Sequence, residues 1–381
     1  MREFRVPGLI LTGSGSSLGI GRILRMRGVR HAFVVSDWFI LATAGAREVL
    51  AAIADAGVQV TTHDRVTGEP TMEMVERAHR DCATAGADAV IGLGGGSAMD
   101  VAKAVAILMA HDGPLTRFEG AEKVPGGRVP LACIATTAGT GSEVTRFVIV
   151  TDEARDRKML ISSWEAMPDI AVADPDLTRD VPSRPMVAAG IDALTHAIES
   201  YVSRRSQPMT DPLALSAIAR LSRALPRVLA NPRDDEARAE MSVGALEAGI
   251  AFSNASVALV HGMARPLGAY FGVPHGMANA VLLPAVCEFS RRDATDRYAR
   301  IGTAMGVGDG SGDGRDTVAA IADLCRSVGV PTLSDLGVAR DAYDLVLGAM
   351  ASDAIASGSP ANNPRIATEA EIVDLYRAVW A

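Results

Sequence analysis

The chain has 381 residues, which is long for one compact domain and sufficient for two domains with separate hydrophobic cores. Hydrophobic residues make up 48% and charged residues 22%, and the formal net charge of -8 argues against a nucleic-acid partner. There is no apolar run of the roughly 20 residues that a membrane-spanning helix needs, and no signal-peptide pattern. The four cysteines form no C-x-x-C pair, so we expect reduced thiols in a cytoplasmic protein without a membrane partner.

The first half of the chain alternates β-rich runs with helical segments. Residues 31–37 (HAFVVSD) are short, apolar and rich in β-branched and aromatic side chains, which is typical of a buried strand. Helices are predicted at 44–56, with Gly57 as a stop, and at 72–85. Further strands are predicted at 57–63, 87–95, 130–136, 146–152 and 169–175. Strands separated by helices of this length indicate a parallel, doubly wound sheet.

After about residue 180 the sequence contains no convincing strand. Pro182 and Pro185 open a region in which Ala, Leu and Met recur at helical spacing to the C terminus, and GDGSGDG (308–314) is a flexible connection between helices. We therefore expect an α/β domain at 1–180 followed by an all-helical domain at 181–381.

A glycine-rich segment, GLGGGSAMDVAKAV (92–105), directly follows a predicted strand and opens a helix. Glycines 94–96 allow backbone N–H groups to approach an anion closely, and Ser97 is placed to cap the helix, whose N-terminus would then face a pyrophosphate. The spacing is neither G-x-G-x-x-G nor that of a P-loop. A glycine-rich turn without a ligand is the alternative.

A second segment, TTAGTGSEVT (136–145), also follows a predicted strand and is rich in small hydroxyl residues. These hydroxyls suit the phosphate and ribose of a dinucleotide, although a tight turn satisfied by its own hydroxyls is the alternative. Asp37, at the end of a strand, suits a ribose hydroxyl and would repel a 2′-phosphate; it could equally be a helix cap. Together the segments predict a dinucleotide site.

Three of the seven histidines lie in the helical half, near one aspartate. Asp192 and His196 in GIDALTHAIESY are four residues apart, on one face of a helix, whereas His261 and His275 are fourteen residues apart and each precedes a glycine. One carboxylate and three imidazoles suit a divalent transition ion with an open coordination position. The alternative is a helix-surface pair beside two core or capping histidines.

Motifs along nearly the whole chain resemble the iron-containing (group III) alcohol dehydrogenase family. They are GGGSAMDVAK, TTAGTGSEVT, AVADPDL, GIDALTHAIESY, HGMARPLGAYFGVPHG and NNPRIATEAEIVDLY. The resemblance implies a dinucleotide-binding α/β domain, a helical metal-binding domain and an active site in the cleft between them. The implied activity is interconversion of a small aldehyde and its alcohol with NAD(H), or with NADP(H), and with Fe(2+), Zn(2+) or another divalent ion.

The resemblance also implies roles for individual residues. The implied metal ligands are Asp192, His196, His261 and His275. The implied cofactor contacts are Asp37, Gly94, Gly95, Gly96, Ser97, Asp100, Thr136, Thr137, Thr140, Ser142 and Lys158. Many members are homodimers that pair through an N-terminal strand, for which RVPGLIL (5–11) is the candidate here.

One position departs from the family pattern. Many members carry a second histidine four residues after the third ligand, and this chain has Arg265 there. A guanidinium stays protonated at any working pH, so Arg265 cannot be a general base, but its fork matches a carboxylate, sulfonate or phosphonate. We therefore expect an anionic aldehyde, with phosphonoacetaldehyde ranked first, unless Arg265 turns away to pair with an acidic residue or the domain interface and leaves a pocket for neutral aldehydes.

Other functions on this fold remain as alternatives. They are a neutral-aldehyde or diol enzyme (lactaldehyde- or propanediol-like), a dehydroquinate-synthase-like lyase, a glycerol-phosphate dehydrogenase, and a scaffold without catalysis. The GIDALTHAIES and NPR segments favour the alcohol dehydrogenase branch over the lyase and the glycerol-phosphate enzyme. Fold alone does not decide between these functions.

Overall fold

The computed structural model describes residues 2–155 and 157–380. They form two compact units: Arg5–Val181, and the region from Pro182 onward together with residues 2–4. Strands are confined to the first unit among the described residues, and the second is helical. The predicted order of a parallel α/β part followed by a helical part is confirmed.

The α/β unit is built on a six-stranded, all-parallel sheet in the order β1-β9-β6-β4-β2-β3. Its strands are β1 (Leu9–Thr12), β2 (His31–Val35), β3 (Gln59–His63), β4 (Ala89–Gly94), β6 (Leu131–Ala135) and β9 (Ile170–Ala173). The four inner strands are buried along their whole length, as a sheet covered on both faces requires. β1, which holds part of the predicted N-terminal pairing segment, forms one edge.

Helices cover both faces of this sheet. The helices of the unit are α1 (Ile20–Met26), α2 (Trp38–Leu41), α3 (Ala44–Asp55), α4 (Met72–Ala85) and α5 (Gly96–Leu108). Alternate residues of β2 point to opposite sides: Phe33 joins a core with α4 and α5, whereas Val34 joins one with α1 and α3. The predicted doubly wound arrangement therefore follows from the strands being apolar on both faces.

One predicted strand belongs elsewhere. Residues 146–152 form β7 (Phe147–Asp152), which pairs antiparallel with β8 (Arg157–Ser162) in a separate three-stranded sheet completed by β5 (Gly120–Ala121). The prediction of a strand is correct, but placing it in the parallel series is wrong. The sequence between β7 and β8 is four residues long, which is too short for the crossover that parallel pairing needs.

The second unit contains nine helices among the described residues. They are α6 (Ser183–Val202), α7 (Asp211–Ala230), α8 (Asp235–Ala255), α9 (Leu259–Phe271), α10 (His275–Arg291), α11 (Thr295–Met305), α12 (Arg315–Ser327), α13 (Arg340–Ala356) and α14 (Glu369–Ala378). α6 is buried on every side from Gly190 to Val202, so it is the central helix of the unit. Residues 308–314 connect α11 to α12, as predicted.

No single helix in 2–155 or 157–380 is long and apolar enough to cross a membrane. α8 and α9, which meet at a bend of 101°, pass that length-and-composition criterion only as a pair.

All four cysteines lie in the described residues, where they are free and buried. Burial raises the pKa of the Cys82, Cys133 and Cys325 thiols to about 12. It also raises the pKa of Cys287. Each thiol therefore stays protonated near neutral pH.

Candidate metal centre and nucleotide-binding loops

The aspartate and the first histidine of the predicted metal centre lie on α6. Asp192 and His196 are one helical turn apart and both are buried. Because α6 is surrounded by other helices, a polar face at this point cannot reach bulk water and must be satisfied by neighbouring polar groups. The His196 ring stacks on Phe252 of α8, with ring centroids 4.1 Å apart.

The other two histidines come from neighbouring helices. His261 lies in the first turn of α9, and His275 is the first residue of α10. The glycine after each one permits close packing: a Cβ on Gly276 would collide with the Ala188 carbonyl oxygen of α6, and one on Gly262 would lie 2.7 Å from Cγ of Pro360. Each His-Gly pair in the sequence therefore lies where its helix packs closely against another segment of the chain.

The three predicted histidine ligands converge on one carboxylate oxygen of the fourth ligand, Asp192. Oδ1 of Asp192 lies 3.5 Å from Nε2 of His261, 3.9 Å from Nε2 of His275 and 4.0 Å from Nε2 of His196. Ligand atoms of Asp192, His261 and His275 all lie within 4.8 Å of one another, and the His196 ring stacks on His261. Residues separated by 83 positions in the chain thus form one cluster.

Charge coupling within the cluster is strong. Burial opposes ionisation of Asp192, but the three imidazoles outweigh it and hold the pKa of this carboxyl well below its usual range. Burial also lowers the pKa of His261, but the Glu199 and Asp192 carboxylates outweigh that effect and raise it to about 9. The cluster therefore stabilises positive charge at its centre.

Two residues of the cluster were missed by the sequence analysis. Glu199, on the same face of α6 as Asp192 and one turn beyond His196, accepts a hydrogen bond from Nδ1 of His261 at 2.6 Å. Asn279 of α10 donates through Nδ2 to Oδ1 of Asp192 at 2.6 Å. Both are buried. The i+3 and i+4 spacing from His196 and His275 was the available signal.

The donor set fits a divalent transition ion. One carboxylate and three imidazole nitrogens are ligands that iron(II) and zinc accept. Oδ1 of Asn279 is buried beside them and has no hydrogen-bond partner among the described residues. The His275 side chain is 40% exposed, so the cluster opens toward solvent on one side, as a centre that admits a substrate needs.

Arg265 lies on α9, one helical turn after His261. The helix continues through Pro266, so the predicted i+4 relation to His261 holds. Its Nη1 donates to the carbonyl of Ser357 at 3.5 Å, and it forms no ion pair in the part of the chain that the structure describes. Burial lowers the pKa of this guanidinium, an effect that Glu199 opposes. Pairing with an acidic residue, the structural alternative, is not observed.

The first glycine-rich loop joins β4 to α5. The N-cap of α5 is Gly95, with no side-chain cap, so the prediction that Ser97 caps the helix is wrong; Ser97 lies inside the first turn. A Cβ on Gly96 would lie 3.1 Å from Cγ2 of Thr140, so the absence of a side chain lets the two predicted loops touch. The α5 N–H groups thus remain available to an anion.

The second loop supplies hydroxyls to the same region. The Thr136 and Thr137 hydroxyls are buried and have no hydrogen-bond partner among the described residues. Buried hydroxyls are normally hydrogen-bonded, so this pair fits a bound polar ligand such as a dinucleotide. Oγ1 of Thr140, by contrast, accepts from the Ser142 N–H at 3.3 Å, as the alternative of a self-satisfied turn requires.

Two predicted cofactor contacts are used inside the unit. The Ser142 hydroxyl donates to Oδ1 of Asp100 at 2.7 Å and accepts from Nζ of the fully buried Lys103 at 2.8 Å. The other Asp100 oxygen accepts from the Ile149 N–H at 3.0 Å. These bonds tie the second loop to α5 and β7, so they fix its shape.

Glu143, next to Ser142, is buried with Oε2 unpartnered among the described residues. Burial raises the pKa of this carboxyl to about 7. The folded chain therefore binds this proton more tightly than the unfolded chain does. Stability associated with Glu143 is present at acidic pH and is lost as the pH rises toward and through 7.

We expect Glu143→Gln to stabilise the protein at alkaline pH. At pH 8 ionised Glu143 costs on the order of 3 kcal/mol of folding free energy, whereas at pH 4 the carboxyl is protonated and its amide should be nearly equivalent. Calorimetry should show a melting temperature raised by about 5–10 °C at pH 8 only. Glu48→Gln, which changes an exposed carboxyl of α3, is the matched control. A pH-independent shift would contradict the assignment.

Asp37 and Lys158 have partners within the unit. Asp37 is the N-cap of α2 and accepts from the Ile40 N–H at 2.8 Å, as its structural alternative predicted. It nevertheless follows β2, whose Ser36 hydroxyl donates to the Leu93 carbonyl just before the first glycine-rich loop. Lys158 lies on β8, with Nζ 2.9 Å from Oε1 of Glu69.

Family models match both parts of the chain. Residues 7–175 match the iron-containing alcohol dehydrogenase model, and residues 186–380 match the C-terminal model of the Fe-containing alcohol dehydrogenase family. The probable alcohol dehydrogenase EutG of Escherichia coli (strain K12) is 37% identical over 379 residues, which cover 99% of this chain and 94% of that protein.

Solved structures are similar to this chain over its whole length. A crystal structure of 1,3-propanediol oxidoreductase superposes with a TM-score of 0.96 at 32% identity and covers 100% of both chains. A sulfoacetaldehyde reductase from Bifidobacterium kashiwanohense, solved with NAD+, has a TM-score of 0.91 at 27% identity and covers 100% of this chain and 99% of that one. With matches over both units and, in the second, a cluster of side chains that could hold a metal ion, the chain belongs to the iron-containing alcohol dehydrogenase family, and it is an oxidoreductase that acts on alcohols and aldehydes with a metal ion and a nicotinamide cofactor.

Proposed function

We propose that the chain reduces a small anionic aldehyde to its primary alcohol. In this proposal one catalytic divalent ion, with iron(II) as the first choice, is held by Asp192, His196, His261 and His275. The convergence of the three histidines on Oδ1 of Asp192 carries the proposal. A divalent ion bound there supplies Lewis acidity to the substrate oxygen. The overall reaction consumes the aldehyde, NADH and a proton and yields the alcohol and NAD+.

The protein groups have distinct tasks. Asp192 brings the negative charge that a cation needs in this buried place, and the imidazoles supply neutral donors. The half-exposed His275 stands at the solvent side, where a substrate would enter. Arg265 does not accept a proton at any working pH, so it orients charge and does not relay protons.

The surroundings of Arg265 favour an anionic substrate. Arg265 is half-buried, and its one hydrogen bond among the described residues is to a carbonyl at 3.5 Å, so its guanidinium retains donors for a ligand. The similar sulfoacetaldehyde reductase acts, by its name, on an anionic aldehyde. We rank phosphonoacetaldehyde first because a phosphonate carries the most charge, which would give 2-hydroxyethylphosphonate as the product.

A neutral aldehyde is the second candidate. Similar proteins include a lactaldehyde reductase of Escherichia coli and a 1,3-propanediol oxidoreductase, whose names denote uncharged substrates. For this candidate Arg265 would hold the end of α13 through Ser357 and would not touch the substrate.

An NADH-oxidation screen tests the proposal. Enzyme stripped of metal and reloaded with iron(II) or zinc is offered phosphonoacetaldehyde, sulfoacetaldehyde and succinic semialdehyde beside lactaldehyde and 3-hydroxypropionaldehyde. We expect the highest kcat/KM with an anionic member. Preference for a neutral member supports the second candidate, and no NADH oxidation with any of these aldehydes would contradict the proposal.

The proposed cofactor site uses the two loops. Gly94, Gly95, Gly96 and Ser97 at the start of α5 would receive the pyrophosphate, and the unpartnered hydroxyls of Thr136 and Thr137 would bond to the cofactor. Thr140 lines the same junction. We assign Asp100 and Ser142 to holding the second loop, since their side-chain bonds are made within the unit, and we keep Lys158 as a cofactor contact that must leave Glu69.

NAD(H) is the proposed preference, with Asp37 as its determinant. Asp37→Gly should improve kcat/KM with NADPH by about tenfold or more, because it removes a like-charge contact with the 2′-phosphate. The measurement is kcat/KM for NADH and NADPH with one aldehyde. Loss of the α2 cap is a separate effect, which Asp37→Asn controls for by keeping a capping side chain without charge. Wild-type preference for NADPH would refute the placement.

The proposal includes a cytoplasmic homodimer. Residues 9–11 of the candidate pairing segment lie in β1, at one edge of the six-stranded sheet, and edge strands present backbone groups for pairing with another chain. Sedimentation of the metal-loaded protein would show the oligomeric state.

A further inference from the structure

The passage from α8 to α9 carries unusual backbone strain. Ser256, the residue after α8, has a φ of 64°, a conformation that a residue with a Cβ adopts at a cost. The chain then turns by 101° and enters α9, which carries His261 in its first turn. Such a conformation persists only when surrounding contacts fix it.

One carboxylate contacts three of the residues that follow Ser256. Glu199 of α6 accepts from the N–H groups of Ala258 and Val260 at 3.0 and 2.6 Å, and from Nδ1 of His261 at 2.6 Å. It is 2% exposed. The same side chain therefore holds the N-terminus of α9 and the outer nitrogen of a proposed metal ligand.

We infer that Glu199 is a positioning residue of the metal centre, which fixes the tautomer and orientation of His261. The inference rests on the proposed function, because it requires His261 to bind a metal ion. A carboxylate at Nδ1 requires a proton on that nitrogen, so in the neutral ring Nε2 keeps its lone pair. Nε2 is the atom that faces Oδ1 of Asp192, 3.5 Å away.

The Glu199→Gln variant tests this assignment. Oε2 of Glu199 accepts from both Ala258 and His261, whereas Oε1 accepts from Val260, so a glutamine amide must place its NH2 group at one of these two positions. With the NH2 group against His261, it favours a lone pair on Nδ1 and a proton on Nε2, which is the wrong tautomer for a ligand; with the carbonyl oxygen there, the bond persists without the charge of the carboxylate. The variant thus preserves size and part of the helix contact, while either orientation weakens the interaction with the imidazole.

The measurement is the zinc dissociation constant of metal-free protein, obtained by competition with a chelator. We expect Glu199→Gln to bind zinc about 10–100-fold more weakly than wild type. The melting temperature of the metal-free variant should differ little from that of metal-free wild type, whereas the rise in melting temperature on adding zinc should be much smaller in the variant. Glu247→Gln is the matched control, because Glu247 is a largely buried carboxylate of α8 that pairs with Arg220. This variant should bind zinc as tightly as wild type.

The outcomes separate the two ideas. Equal zinc affinity in wild type and Glu199→Gln would overturn the positioning role, whereas wild type that binds neither zinc nor iron(II) would overturn the proposed metal centre itself. If the variant does not fold, nitrogen-15 NMR of histidine-labelled, zinc-loaded wild type decides. A protonated Nδ1 with zinc at Nε2 of His261, identified by its loss in His261→Gln, supports the inference, and zinc at Nδ1 refutes it.

Discussion

His261→Ala is expected to lose bound metal and most turnover together. The change removes one of the two buried side chains whose ligand atoms approach Oδ1 of Asp192, and it leaves the Glu199 carboxylate without its imidazole partner. Loss of Lewis-acid stabilisation worth several kcal/mol corresponds to a fall in kcat/KM of about a thousandfold or more. Metal content by mass spectrometry and aldehyde-dependent NADH oxidation are the two measurements.

His111→Ala is the control for this experiment. That side chain lies in the α/β unit and bonds the Gly127 carbonyl, remote in sequence from every proposed ligand. It should retain full metal content and activity. Full turnover of His261→Ala, or of wild type after complete chelation, would contradict the proposed centre.

Arg265→Ala is expected to separate anionic from neutral substrates. Loss of a bidentate contact between a guanidinium and an anion should cost about 2–5 kcal/mol, or roughly 30- to several thousandfold in kcat/KM, for an anionic aldehyde only. A neutral aldehyde of similar size should lose little. The ratio of the two kcat/KM losses is the measured quantity, so a general effect on folding or metal content cancels.

The Arg265→Lys variant tests whether the substrate needs the planar guanidinium or only a positive charge. Lysine keeps the charge but not the planar fork, so it should restore part of the anionic activity. Because Arg265 also bonds the Ser357 carbonyl, the melting temperature of each variant is measured in parallel. Equal losses for both substrate classes, or no loss, would contradict an anion-reading role and support the neutral-aldehyde candidate.

Local patterns in the sequence predict much of this architecture. The runs at 31–37 and 87–95 are apolar without alternation, which indicates strands buried on both faces, and both are inner strands of the parallel sheet. The i, i+4 spacing of Asp192 and His196 places them on one helical face, and the structure shows them one turn apart on α6. These features depend on neighbours in sequence, so a single sequence predicts them.

Features that depend on distant contacts were not predictable in the same way. The alternation at 146–152 specifies a strand but not its partner, so its antiparallel pairing with β8 was missed. Ser97 has a side chain typical of a cap, but α5 begins one residue earlier at Gly96. Its spacing from His196 places Glu199 on the same face of α6, but its bond to His261 depends on the packing of α9 against α6. The strand pairing and this bond depend on tertiary contacts that no local pattern specifies.

The burial of all four cysteines has a practical consequence. With thiol pKa values raised by burial, no native cysteine offers an accessible thiolate near neutral pH, so alkylating reagents and mild oxidants should leave the folded chain unmodified. A single cysteine introduced at an exposed site, for example at Glu48 of α3, would then be the one reactive thiol. The chain is in effect ready for site-specific attachment of a fluorophore or spin label without prior removal of its own cysteines.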